Sequence, residues 1–169
     1  MLNATLGYYG HLNYGSEMVT RLYAPFLQTK EQLREEPVAP LNNGCAEFKV
    51  TDFVPEGGGE KLEILHERGA VMVRRGGCSF VTKTLNAQKI GARLAIIMDN
   101  VEENEDNIIM IDSKNQGDLV RIPTYMISNH EGEALYKALL DGQHVVLKYS
   151  LEMVTIDAST SGQAAIVPY

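Results

Sequence analysis

The chain lacks most of the features that mark a membrane protein, a nucleic-acid binder or a familiar enzyme. Its 169 residues contain no run of about 18 apolar residues, so no segment reads as a membrane-spanning helix. Basic residues are in deficit, 15 Lys and Arg against 22 Asp and Glu, for a formal charge of −7. Phosphate binding needs the opposite sign, so a nucleic-acid partner is not expected. The nucleophile elbow Gly-x-Ser-x-Gly is absent. The three glycines that follow Pro55 and Glu56 have no Gly-Lys-Ser/Thr after them, so they read as a loop and not as a phosphate cradle. No two of His11, His66, His130 and His144 have the i,i+4 helical spacing of a zinc pair. Lys83 follows Ser79 at four residues and not three, and Ser79 fits a helix N-cap better than a nucleophile. We therefore expect no catalytic residues, no metal ligands and no cofactor.

Cysteine is scarce too. Cys45 and Cys78 each follow a glycine at an expected element boundary. In a reducing compartment they would be two buried thiols. In an oxidising one, a bridge between them would close a loop of roughly 34 residues, worth on the order of 3–4 kcal/mol in the chain-entropy account. A lone Cys78 thiolate at a helix start would be activated, but no general base can be placed beside it. Asn3-Ala4-Thr5 is an N-glycosylation triplet, which tilts the choice toward the secretory pathway. The first ten residues lack a basic segment followed by an apolar one, so either the chain is cytosolic or a signal peptide has been removed; we favour removal.

The remaining composition, 44% hydrophobic and 22% charged, is that of an ordinary globular domain with a sizeable core. Met18–Tyr23 alternates apolar and polar residues as a strand does. Phe48–Phe53 reads as a further strand, and Lys61–Leu65 as a short strand or turn. Asn13–Gly15 is expected to turn, and Lys30–Pro40 to be a charged surface excursion. Ala70–Val73 and Leu94–Met98 are continuous apolar runs, the form of strands buried on both faces. Between them, from Ser79 to the stop at Gly91, the period becomes helical, with Val81, Leu85 and Gln88 on one face. Strand, helix and strand in this order make a parallel crossover. Ile122–Ile127 is an apolar strand begun by Pro123, a residue suited to an edge or a first position. A helix capped by Asn129 runs from His130 to about Leu140, with a buried stripe of Leu135, Ala138 and Leu139. Val145–Met153 is a last strand, and residues 155–169 read as a tail or linker. Seven acids lie between Asp99 and Asp118 against a single lysine, Lys114. That run reads as a solvated loop, with a cation site or a contact to a basic peptide as alternatives.

The most informative stretch is Gly69–Gly91. Its Arg74-Arg75-Gly76-Gly77-Cys78-Ser79 core joins a buried strand to a capped helix. Consecutive arginines at a strand end diverge to opposite faces, and we expect Arg75 to be the one that meets a ligand. Gly76 and Gly77 expose backbone N–H groups near a helix start, able to receive a carboxylate or a peptide carbonyl. The alternative is that the glycines only make the turn while Arg75 pairs with an acid such as Asp99.

Several segments together resemble the protease-associated (PA) domain. They are Ala70–Gly91 with Asn86-Ala-Gln-Lys-Ile-Gly-Ala92, Ala95-Ile-Ile-Met-Asp-Asn100, Ile122–Ser128 and Gly132–Leu135. Gly7–Pro25 and Cys45 look like the opening of the PA domains of plant vacuolar sorting receptors. The similarity runs from about Leu6 to Met153. It implies an α/β (α+β) fold with a β-sandwich or open-barrel core flanked by two or three helices, a domain at 6–153 and a tail or linker at 154–169. It also implies a non-catalytic protein- or peptide-binding module of the secretory lumen or cell exterior, with a role in cargo recognition or sorting. The alternative is a structural or regulatory cover domain of a larger protease, ligase or assembly, without its own ligand. The receptors' cargo loop corresponds to Arg75, Gly76, Gly77 and Cys78, and we take these with Asp99 and Asn100 as candidate ligand contacts. Gly77 stands where those receptors often carry an acid, whereas the ligase and secreted relatives share the Gly-Gly form. The resemblance further implies a Cys45–Cys78 disulfide and a glycan on Asn3.

Overall fold

The structure, a computed structural model, describes residues 4–7, 17–25, 43–53, 69–102, 110–150, 153–155 and 166–168. Asn3, His11 and His66 lie outside these residues. So do the expected turn at 13–15, the excursion at 30–40, the glycine loop at 57–59 and the short strand at 61–65.

Eight strands and two α-helices are described: β1 Ala4–Leu6, β2 Glu17–Tyr23, β3 Ala70–Arg74, α1 Phe80–Lys89, β4 Leu94–Met98, β5 Thr124–Ile127, α2 Asn129–Leu140, β6 Val146–Ser150, β7 Met153–Thr155 and β8 Ile166–Pro168. Six strands form one mixed sheet in the order β1-β5-β4-β3-β2-β6. β2 to β5 run parallel, while β1 and β6 close the two sides antiparallel. β2 is shared between partners: Glu17–Arg21 pair with β6, and only Leu22 and Tyr23 pair with β3. This change of partner along one strand makes a corner and gives the sheet its open-barrel character.

The apolar runs at 70–73 and 94–98 are the central strands, and their burial follows from that place: all five residues of β4 are buried. The two faces of the sheet make two cores. Val71, Val73, Ala95, Ile97 and Met126 meet Val81, Ala87 and Ile90 from α1 and its end. Ala70, Met72, Leu94, Ile96 and Met98 meet Leu135, Tyr136 and Leu139 of α2. α2 approaches very closely, since a Cβ on Gly132 would sit 2.5 Å from the Met98 Cβ. Only a hydrogen fits there.

Several expectations need correction. Residues 50–53 form a 3-10 turn, not a strand. The Asp52 carboxylate accepts the Lys49 N–H at 2.8 Å, a local bond that competes with extension, and the Phe48 and Phe53 rings close at 5.3 Å. The cap of α2 is Ser128, one residue earlier than expected, with a reciprocal box to Glu131. Asn129 turns inward instead and donates to the Asp99 carbonyl at 3.0 Å. β5 begins at Thr124 and lies between β1 and β4, so Pro123 precedes an interior strand. The buried side of α1 carries Val81, Lys83, Thr84, Asn86 and Ala87, whereas Leu85 and Gln88 are only half-buried. β6 ends at Ser150, and residues 166–168, read as tail, pair with β7 in a separate two-stranded sheet.

Candidate functional site

The carboxyl ends of β3 and β4 set the site. Arg74 and Arg75 leave β3 in opposite directions, as the strand period requires. Arg74 reaches α2 and pairs with Glu133 at 2.5 Å. Arg75 pairs with Asp99 at 3.1 Å, just beyond β4. The two partners differ in solvation: the Arg75 side chain is 31% exposed and the Asp99 side chain 7%. Asp99 also accepts from the N–H groups of Asn100 and Val101, so its carboxylate turns the chain out of the sheet while it fixes Arg75. One member of the acidic run is therefore buried and paired rather than solvated.

After Arg75 the chain makes a turn that glycine alone permits without strain. Gly76 and Gly77 have φ of 107° and 81°. A Cβ on Gly77 would also lie 2.6 Å from Asn43 Nδ2 and 3.1 Å from Cys45 Sγ. Among the described residues none accepts from the N–H of Gly76 or Gly77. Gly77 is exposed and Asn100 stands beside Gly76, with its Nδ2 3.5 Å from where a Gly76 Cβ would be. The turn thus offers unoccupied amide donors next to a half-exposed guanidinium.

Cys78 follows, and it is joined to Cys45 in a disulfide. Both thiols are consumed, so neither cysteine is a free nucleophile here. Ser79 caps α1 by accepting the Thr82 N–H at 3.2 Å. Beneath the turn lie groups that the sequence did not flag. Lys83 is fully buried, and its Nζ donates to the carbonyls of Asn43 at 2.5 Å and Gly76 at 2.6 Å. Desolvation pushes its pKa down to about 8. Asn86, one turn along α1, donates to the Gly44 carbonyl at 2.8 Å. Asn43 itself reaches Gly76 O at 3.4 Å. The segment at 43–45 is thereby strapped to the turn by one covalent bond and several polar ones. No periodicity could have revealed this, because a lysine and an asparagine on a helix ordinarily read as its wet side.

Elsewhere the polar groups are local. Asp112 accepts backbone N–H groups from Lys114, Gln116 and Gly117, which hold its carboxyl below the usual range. Glu103, Glu105 and Asp106 lie outside the described residues. Among the described residues no group of three or more His, Cys, Asp or Glu side chains is placed to hold a metal ion. No described helix is long and apolar enough to cross a membrane. His130 and His144 are exposed.

Comparison with known proteins gives a consistent picture. A family model, the PA domain, matches residues 34–135. Vacuolar-sorting receptor 5 of Arabidopsis thaliana is 34% identical over 83 residues, covering 46% of this chain and 13% of the receptor. Vacuolar-sorting receptor 3 of the same plant is 28% identical over 156 residues, covering 86% of this chain and 21% of the receptor. Receptor homology region, transmembrane domain- and RING domain-containing protein 3, also from Arabidopsis thaliana, is 39% identical over 67 residues, covering 40% of this chain and 15% of that protein. The chain therefore spans only a small part of the curated relatives it matches. Among solved structures, a zinc aminopeptidase from Bacillus subtilis superposes with a TM-score of 0.54 at 19% identity, covering 87% of this chain and 27% of that one. At that identity the likeness concerns the fold alone.

Proposed function

Because the chain belongs to the PA domain family, we propose that it is a non-catalytic recognition module that takes a protein or peptide ligand on the Arg75–Cys78 turn. The observation that carries this reading is the turn itself: two glycine amides without acceptors among the described residues, flanked by the half-exposed Arg75 and by Asn100, on a base locked by the disulfide and Lys83. A peptide carboxylate or carbonyl matches those donors. Asp99 holds Arg75 in place, so the guanidinium is presented without the entropy cost of ordering it on binding. The module is assigned to residues 6–153. Its luminal or extracellular placement is supported by the disulfide, the Asn3 triplet and the sorting-receptor relatives.

The ion pairs Arg74–Glu133 and Arg75–Asp99 favour a second reading, in which both arginines serve the fold and the domain covers a larger assembly. A peptide array probed with the purified, oxidised chain separates the two, with hits re-measured by fluorescence anisotropy. Recognition at the turn predicts that Arg75→Ala weakens a hit by about tenfold, the loss of one charged hydrogen bond. Hits that Arg75→Ala binds as tightly as the native chain, or an array without hits, would remove the binding turn and leave the cover domain.

A further inference from the structure

Lys83 is the chemically unusual group of this fold. Its ammonium is fully buried, yet its described partners are two main-chain carbonyls and a sulfur, with no carboxylate among them. Carbonyls satisfy its hydrogens but do not neutralise its charge. Its Nζ lies 3.6 Å from Cys45 Sγ. Of the groups bonded to it, only that sulfur can acquire a negative charge, and it does so only when the disulfide opens.

We propose that the Cys45–Cys78 bridge is an exchangeable disulfide, in which Cys78 is the site of mixed-disulfide formation with a low-molecular-weight thiol and Lys83 holds Cys45 as the leaving thiolate. The thiolate of the small thiol attacks Cys78 Sγ. A sulfur–sulfur bond forms there, the bond to Cys45 breaks, and its electron pair leaves on Cys45 Sγ facing the Lys83 ammonium. A second small-thiol thiolate then attacks the sulfur of the first small-thiol molecule in the mixed disulfide; the bond to Cys78 Sγ breaks, its electron pair leaves on Cys78, and the two small thiols depart as their oxidised dimer. Two electrons have passed to the protein, whose two sulfurs end as thiolate or thiol.

The direction of attack follows from which sulfur leaves better, since a lower thiol pKa makes a faster leaving group. Cys78 has its own stabilising neighbour, the start of α1, but that terminus carries only about half a positive charge. Ser79 already caps it through the Thr82 N–H. Half-buried Cys45 faces the whole charge of a fully buried ammonium, and a neighbouring lysine lowers a thiol pKa by one unit or more. Both cysteines are half-buried, so exposure does not choose between them; the difference lies in the contacts of Cys45 Sγ, 3.6 Å from Lys83 Nζ and 3.1 Å from where a Gly77 Cβ would be. Opening the bridge would leave the 43–45 segment tied to the Gly76–Gly77 turn by hydrogen bonds alone, so exchange would loosen the turn whatever it binds.

The test exposes the native oxidised chain to reduced glutathione, quenches with acid, alkylates free thiols and maps both cysteines by mass spectrometry. Glutathione is expected on Cys78 with the alkyl group on Cys45, in about tenfold excess over the opposite pattern, and the preference should vanish in urea. Lys83→Met should slow adduct formation roughly tenfold and erase the preference. Equal labelling of the two cysteines in the native chain, adducts on Cys45, or no adduct at millimolar glutathione would each overturn the proposal. The first measurement needs no variant, so it decides even if Lys83→Met fails to fold.

Discussion

Replacing Lys83 by methionine, with the disulfide intact, probes the buried charge directly. The side chain is fully buried, and burial brings its pKa from 10.5 to about 8. At neutral pH the exchange mixes opposing effects. Methionine removes a costly desolvated ammonium but orphans the Asn43 carbonyl, at roughly 1–3 kcal/mol, and leaves the Gly76 carbonyl with the 3.4 Å bond from Asn43. The pH dependence isolates the charge. The folded pKa lies below the unfolded one, so between pH 8 and 10.5 the unfolded chain binds more protons and stability rises with pH. The burial cost is fully present below pH 8 and is relieved above it. Over pH 7 to 10 the native chain should gain about 2–3 kcal/mol relative to Lys83→Met, at 1.36 kcal/mol per unit of pKa difference. Urea unfolding followed by circular dichroism at several pH values measures this, and Tyr149, whose pKa burial raises, is common to both chains and cancels. Parallel stability profiles for the two proteins would refute the claim that the folded state disfavours the ammonium.

Two further perturbations test the frame of the site. Gly132→Ala should cost about 1–3 kcal/mol in thermal or urea unfolding, because the new methyl would press on Met98, in β4, at 2.5 Å and force α2 off the sheet; a neutral substitution would contradict that contact. Ser128→Ala should cost about 1 kcal/mol by removing one half of the capping box with Glu131, whereas Asn129→Ala, at the residue first expected to cap, should act instead through the lost bond to the Asp99 carbonyl and disturb the Arg75 pair.

The features legible in the sequence were the local ones. Unbroken apolar runs at 70–73 and 94–98 can be satisfied only by strands covered on both faces, and a helical period between them leaves a parallel crossover. The Arg-Gly-Gly-Cys-Ser string is equally local: positive φ needs glycine, and an N-cap needs a serine or its like. Those signals place the turn, the helix and the family. Local chemistry decided against the expected strand at Phe48–Phe53, where an aspartate bonds a backbone N–H three residues back. At Asn129 the expected cap gave way to Ser128, which the reciprocal box with Glu131 favours.

The tertiary structure decided which polar groups the core would accept. Lys83 and Asn86 sit on the buried side of α1 only because the 43–45 segment, some forty residues earlier, brings carbonyls for them to meet. Asp99 is buried rather than solvated because β3 and β4 are neighbours, so that Arg75 leaves one strand beside the acid that leaves the other. Such pairings carry no period, since the partners are distant in sequence and each is of a type that usually faces water. The sequence by itself determined the buried central strands, the turn and the family. Only the folded chain determined that the turn stands on a buried cation, because a charge enters a core only where distant backbone atoms have been assembled to receive it.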